Sequence, residues 1–539
     1  MSVRWGMVVD VNRCVGCQTC TVACKHTNDT VPGVQWRRVL DVETGSFPDV
    51  ERLFLVVGCQ HCAEPPCVPV CPTGATAQRA DGLVTMDYDL CIGCASCAVA
   101  CPYQARTIVH DQRWYFGRET RQERAVIHEE RRGVAQKCTF CIEKVDEAEA
   151  RGLTPGVDLE VTPACAASCI AQAITFGDFN DPDSNVSRLA RENDSFQMHA
   201  ELGTDPQIRY LYRTPTVPGR DPAPGDEDDA ALRRAENPLA GRPQTFWDWR
   251  AAMNWGFGGL SSGFAIMAWL AYMLGAMPAS TLPLAHAAAV VLMAVGLFFV
   301  FLKIGRKLRF AYAIRRPHTS WMTRELYAVA VFYLTVLADL LWPHPALHAV
   351  AALAAVAFLI CQAKILHMAK GIPSWRVPLI PWMIVASGLL EGTGLLALAG
   401  GLFPALLPPS AVVPAAGLVL VAVNAVLWRR YRATAKAEGV GPLARDVLAR
   451  MSPGLHAIGH GAAALLFAAM LAWPGAPGAA IMAGLAAIAG GFFWKFGVIT
   501  RACHQQGFAL AKMPQRGSGT RAAPLLPDRI GGLAGEAAE

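Results

Sequence analysis

Sixteen of the eighteen cysteines stand in four groups of four, and no other feature restricts what this chain can fold into as strongly. The first group is Cys14-x2-Cys17-x2-Cys20-x3-Cys24. The second is Cys59-x2-Cys62-x4-Cys67-x3-Cys71-Pro72, and the third is Cys91-x2-Cys94-x2-Cys97-x3-Cys101-Pro102. The fourth is split into Cys138-x2-Cys141 and Cys165-x3-Cys169. A C-x2-C-x2-C-x3-C run is the ligand pattern of bacterial ferredoxins. A tight loop turns three thiolates onto three irons of one cubane, and the fourth cysteine, starting a helix, points at the neighbouring one. Pro72 and Pro102 suit the first turn of such a helix, where no amide donor is needed. Two motifs then hold two clusters reciprocally, and four motifs hold four [4Fe-4S] clusters.

Zinc and disulfides are the rival readings. Zinc sites take paired C-x2-C units with long spacers. The split fourth group alone fits that pattern, but three-cysteine runs leave a surplus ligand. Ahead of Cys14 there is no apolar h-region, small-residue cleavage site or twin arginine, so no export signal is expected. That argues against a secreted disulfide framework.

Composition changes sharply along the chain. Residues 1–213 read as an α+β ferredoxin-like tandem domain holding the four clusters. Residues 214–244 include Pro218-Gly219-Arg220-Asp221-Pro222-Ala223-Pro224-Gly225 followed by four acidic residues, and read as an exposed linker. From about Thr245 the chain is rich in Ala, Leu and Val, and residues 245–511 read as an all-α eight-helix transmembrane bundle. Residues 512–539 read as a flexible tail. The eight apolar stretches fall at about 252–275, 282–304, 325–342, 346–366, 378–400, 411–428, 454–473 and 477–499, each near the length that crosses a bilayer. A net charge of +5 is modest, and no basic patch interleaved with aromatics suggests nucleic acid.

Loop charges orient the bundle. The loops after the second, fourth and sixth stretches carry Arg306, Lys307, Arg309, Arg315 and Arg316, then Lys370 and Arg376, then Arg429, Arg430, Arg432 and Lys436. The alternate loops carry no lysine or arginine. By the positive-inside rule, both termini and the cluster domain are expected on the cytoplasmic side of the inner membrane.

Ionisable groups inside apolar spans are expensive and default to functional candidates. Glu325, with Arg309 and Lys303 nearby in sequence, is a candidate to bind or protonate a quinone carbonyl. It equally suits a first-turn glutamate facing its helix dipole. Asp339 and Glu391 read as bonded to neighbouring helices rather than lining a proton path. His456 and His460 sit a turn apart on one helix, whereas haem takes ligands from facing positions, so no haem is expected. His286 and His367 read as packed or interfacial. Cys361 and Cys503 read as small apolar residues.

On the cysteine groups, with Cys59-Gln60-His61-Cys62-Ala63-Glu64-Pro65-Pro66-Cys67 and Lys137-Cys138-Thr139-Phe140-Cys141, residues 1–215 resemble the electron-transfer subunit of the dimethyl sulfoxide reductase family of molybdopterin enzymes. The resemblance implies one cluster on Cys14, Cys17, Cys20 and Cys169, and its neighbour on Cys24, Cys138, Cys141 and Cys165. It implies a second pair on Cys59, Cys62, Cys67 and Cys101, and on Cys71, Cys91, Cys94 and Cys97. The first pair would lie nearer the molybdenum and the second nearer the membrane. The helical half resembles the family's anchor subunit, normally a separate chain, through Gly305, Arg309, Phe310, Ser320 and Glu325. Lys303 stands where the family commonly has histidine.

The resemblance implies a large molybdopterin-containing catalytic partner, with the membrane lipid and its quinone pool as the other contacts. The family's cytoplasmic members include the sulfite-oxidising enzyme and phenylacetyl-CoA:acceptor oxidoreductase, both delivering electrons to quinone. The expectation is a non-catalytic electron-transfer and anchor subunit working from a sulfite-like substrate towards quinone. Alternatives are the phenylacetyl-CoA enzyme, a quinol-driven reductase of the dimethyl sulfoxide type and, remotely, a redox-sensing transporter.

Overall fold

The computed structural model describes residues 3–213, 231–234, 237–405, 407–510 and 522–524. Most of the expected linker, including the Pro/Gly/acidic run, and nearly all of the expected tail lie outside the described residues. Ala522–Pro524 is described, and there the backbone N–H of Ala523 donates to Asp10 Oδ2 at 2.9 Å, beside the first cysteine group.

The cluster half is organised by a four-stranded sheet in the order Ile174–Asp178, Trp5–Asp10, Ile208–Leu211, Ser195–Phe196. Trp5–Asp10 is a central strand, parallel to Ile208–Leu211 and antiparallel to Ile174–Asp178. Its Met7, Val8 and Val9 are fully buried, each such side chain contributing about 1.5–3 kcal/mol. The first strand therefore pairs with the last, and every cysteine loop is threaded between them. A long antiparallel hairpin, Arg37–Ser46 with Asp49–Gly58, leads directly into Cys59.

The helices near the cysteines differ from expectation in one respect. The helix Thr19–Thr27 carries Cys20 and Cys24 within it, one turn apart, and Ser96–Ala100 ends with Cys101 as its C-cap. The fourth cysteine thus lies within a helix or at its end rather than opening one. Pro102 follows the C-cap, where a ring lacking N–H stops the helix instead of starting the next. Pro72 likewise opens no helix.

Eight long helical rods make up the second half among the described residues. They are Trp249–Met273, Leu282–Lys303, Trp321–Leu341, Pro345–His367, Ile380–Leu402, Val412–Thr434, the composite Pro442–Ala472 and Pro477–Thr500. Six are long and apolar enough to cross a membrane, and the first and third are not among them. Their sequences explain why. The first devotes Gly256, Gly258, Gly259, Ser261, Ser262 and Gly263 to close helix approach, and a side chain on Gly263 would collide with the carbonyl of Gly388 on the fifth rod. The third carries Arg324, Glu325 and Asp339.

The seventh rod starts twelve residues before the expected span, at Pro442 rather than 454. Pro453 lacks an amide for the ladder, and Leu455–Ala462 relaxes into a π-helix directly after it.

Candidate iron–sulfur centre and membrane junction

Each cysteine loop is shaped by left-handed backbone. In the first group Gly16 (φ 70°) and Gln18 (φ 62°) take that conformation, and in the third Gly93 (φ 71°) and Ala95 (φ 67°) repeat it position for position. The turn frees the thiols from the backbone and points amides and hydroxyls at them. Gly93 N–H approaches Cys91 Sγ at 3.4 Å, Phe140 N–H approaches Cys138 Sγ at 3.4 Å, and Ala173 N–H approaches Cys169 Sγ at 3.2 Å. Thr19 lies 3.3 Å from Cys17 Sγ, and Ser96 lies 3.4 Å from Cys94 Sγ.

The sixteen thiols gather into four sets. Cys14 lies within electrostatic reach of Cys17 and Cys169, and Cys20 of Cys14 and Cys169. Cys24 is similarly close to Cys138, Cys141 and Cys165. Cys62 has Cys59, Cys67 and Cys101 around it, while Cys97 has Cys71, Cys91 and Cys94. Neighbouring sets also lie within electrostatic reach of one another. Cys165 of the second set acts on Cys20 of the first, and Cys59 of the third acts on Cys138 of the second.

All sixteen are free thiols. Burial pushes Cys20 and Cys91 up to about 11, and Cys101 and Cys138 up to about 12. Such thiols ionise only when a metal takes the proton's place. Among the described residues no three His, Cys, Asp or Glu side chains converge on a single metal ion. Sixteen cysteine thiols in sets of four match cubes whose four irons each take one thiolate. The donor set therefore fits iron–sulfur clusters.

Three buried cations that sequence reasoning passed over lie among these sets. Arg37 is fully buried; burial opposes its charge, but the thiolates of Cys165, Cys138, Cys24 and Cys20 outweigh it and hold the guanidinium further up. Arg106 is in the same position among Cys67, Cys97, Cys59 and Cys101. Lys137, also fully buried, lies between Cys59 and Cys138 and donates to the carbonyls of Val84 and Cys138. No local signal marks Arg37 or Arg106, because hairpin and loop residues reach the thiols only through the fold. His61 accepts from Val84 N–H through Nδ1, so Nε2 carries the proton and donates to the Cys138 carbonyl at 3.1 Å, tying the second group to the fourth.

The third group seats on the helical half. Arg306 donates to the carbonyls of Ile92, Arg132 and Glu129, and Gly371 N–H donates to Val99. Gly93, Gly133 and Gly305 meet there, where a Cβ on Gly93 or Gly305 would strike the Gly133 carbonyl. The Trp247 indole reaches the carbonyl of Cys94 and stacks on Trp375 at 5.6 Å. A narrow cleft lined by Val70, Ser96, Val99, Trp247, Trp321 and Ile365 opens at this junction.

The three residues proposed for quinone each have their own partners. Arg309 is engaged in docking, donating to the Tyr88 carbonyl at 2.8 Å and pairing with Asp89. Lys303 stands 5.2 Å over the Trp247 ring and near Cys94. Glu325 is buried against Gln362, with Oε1 unpartnered among the described residues. Elsewhere Glu391 forms a fully buried pair with Lys495 at 2.8 Å, and Asp339 faces His348 at 3.0 Å. His456 and His460 contact each other at 3.1 Å.

Thiol loops of ferredoxin type, seated on apolar helices, define a membrane-anchored iron–sulfur electron carrier. Residues 50–115 match the family model of the 4Fe-4S dicluster domain. A protein of Halobacterium salinarum named for the iron–sulfur subunit of dimethyl sulfoxide reductase is 40% identical over 223 residues, 39% of this chain and 79% of that protein. A selenate reductase subunit of Mesobacillus selenatarsenatis is 38% identical over 39% of this chain and 72% of its own. A sulfite dehydrogenase subunit of Allochromatium vinosum is 38% identical over 43% and 90%. The chain belongs to the iron–sulfur subunits of the dimethyl sulfoxide reductase family of molybdoenzymes, here continued by a helical membrane anchor.

Proposed function

We propose that this chain carries four [4Fe-4S] clusters on its sixteen grouped cysteines and links a cytoplasmic molybdopterin subunit to the quinone pool. The observation that carries the reading is the succession of the thiol sets. Cys17 is exposed at one end. At the other, Cys94 lies against Trp247 at the head of the first long helix. Clusters pass single electrons and quinone takes two with protons, so a wire ending at the junction cleft supplies it stepwise. The unpartnered Oε1 of Glu325, buried near that junction, suits proton handling.

We read all eight rods as membrane spans, residues 1–213 as the cluster domain and 245–511 as the anchor. The basic loops bearing Arg306 and Gly371 contact the cluster domain, which supports a cytoplasmic position for it. Electron flow then runs from a sulfite-like substrate to quinone, a direction supported by the sulfite dehydrogenase relative. The phenylacetyl-CoA enzyme and a quinol-driven reductase are the alternatives.

Affinity purification from detergent-solubilised membranes tests this. A large molybdenum-containing polypeptide, iron for four clusters and sulfite-dependent quinone reduction are the expected results. A chain that carries iron but recovers no molybdenum partner overturns the assignment.

A further inference from the structure

Arg37 and Arg106 occupy matching places in the two halves of the thiol array. Arg37 is reached by thiols of the first set (Cys20) and the second (Cys24, Cys138, Cys165). Arg106 is reached by thiols of the third set (Cys59, Cys67, Cys101) and the fourth (Cys97). Neither makes an ion pair with a carboxylate among the described residues, and neither is satisfied by the protein. Among the described residues Arg37 has Nε and Nη1 buried without a hydrogen-bond partner, while Nη2 reaches the sulfur of Met7. Arg106 has Nη2 in the same condition, while Nη1 contacts Thr76 and the sulfur of Met86. A buried guanidinium with idle donors and no counter-anion is costly. The thiolate-bound clusters are the negative charge that relieves it. Lys137 differs, because its amine is taken by two backbone carbonyls.

We propose that Arg37 and Arg106 each raise the reduction potentials of the two clusters they lie between, so that one fixed positive charge serves each pair. The inference rests on the four-cluster reading. Each cluster gains one electron, and one negative charge, on reduction and returns it on reoxidation. A permanent cation beside both members of a pair favours the reduced form of either. Burial away from water keeps that attraction strong. Charge and hydrogen bonding at the sulfurs are among the factors that set cluster potentials. The arrangement keeps the members of a pair moving together, so an electron crosses within a pair without a large step in energy.

The test is an EPR-monitored redox titration of the solubilised full chain, as wild type and as Arg37→Gln and Arg106→Gln. Arg37→Gln is expected to lower two of four potentials by at least tenfold in the reduction equilibrium, which is 59 mV for one electron. Arg106→Gln is expected to lower the other two. The inference falls if all four stay within threefold of wild type, or if both variants move the same two. Should a glutamine variant lose iron, Arg37→Lys and Arg106→Lys keep the charge and are read instead. Potentials within threefold of wild type support the inference, and a tenfold fall with four clusters present overturns it. Wild-type protein with fewer than four titrating clusters overturns the four-cluster reading and this inference with it. Four clusters with potentials unmoved in the glutamine variants overturn this inference alone.

Discussion

Trp247 donates its indole N–H to the carbonyl oxygen of Cys94 at 3.1 Å. One residue stands at the entrance to the first long helix and the other in the third cysteine loop, so this bond is one of those that join the cluster half to the anchor. The ring is packed by Trp375, stacked at 5.6 Å, and Trp255, tilted at 5.1 Å.

Trp247→Phe keeps an aromatic ring but removes the bond, a loss of about 1 kcal/mol. Iron content is expected to match wild type while quinone reduction slows severalfold. Steady-state kinetics with quinone, set against an artificial dye reduced at the partner subunit, separates the two effects. An unchanged quinone rate would reduce the bond to a packing contact.

Gly305→Ala places a methyl group against the Gly133 carbonyl, where both backbones belong to the docking surface. Overpacking of this kind costs about 1–3 kcal/mol. Faster hydrogen exchange is expected around residues 88–101 and 305–316, with little change in the sheet containing Trp5–Asp10. Hydrogen exchange followed by mass spectrometry checks this.

The Glu391–Lys495 pair is fully buried between the fifth and eighth rods, with Ser387 donating to Glu391 Oε1 at 2.8 Å. Removing one partner strands the other, at a cost of about 3–5 kcal/mol. Glu391→Leu is expected to lower the thermal midpoint of the solubilised protein sharply, and the double variant Glu391→Leu/Lys495→Met to recover most of the loss. A proton-carrying role instead predicts that the double variant is stable but loses quinone turnover.

Glu325→Gln keeps the shape of the side chain and removes its titratable carboxyl. Quinone turnover is expected to fall at least tenfold with iron content unchanged. Turnover equal to wild type would return Glu325 to the role of a helix-terminal glutamate.

The cysteine groups were legible because a cluster loop is a local object. Spacing from Cys14 to Cys20, or Cys91 to Cys97, already dictates a turn, and the glycine at its third position is the residue that accepts φ near 70°. Apolar runs announced the long helices for a similar reason, since span length is counted along the chain. Helix boundaries near Cys24 and Cys101 were less legible, because Pro102 ends a helix as readily as it begins one. The third rod shows the same limit of composition, its Arg324, Glu325 and Asp339 lowering an apolar signal that packing then has to explain.

The sequence by itself determined the number and kind of thiol loops, the two-part division of the chain and the alternation of basic loops, all of which depend on near neighbours. Tertiary structure alone decided which charges those thiols meet. Arg37 reaches Cys165 across more than a hundred residues, and Arg106 comes to lie between two sets that are separate in sequence. It also engaged Arg309 with the Tyr88 carbonyl of the cluster half. The physical reason is range: a turn is settled by dihedral angles over a few residues, whereas a buried charge is settled by whatever the whole fold brings within a few ångströms of it.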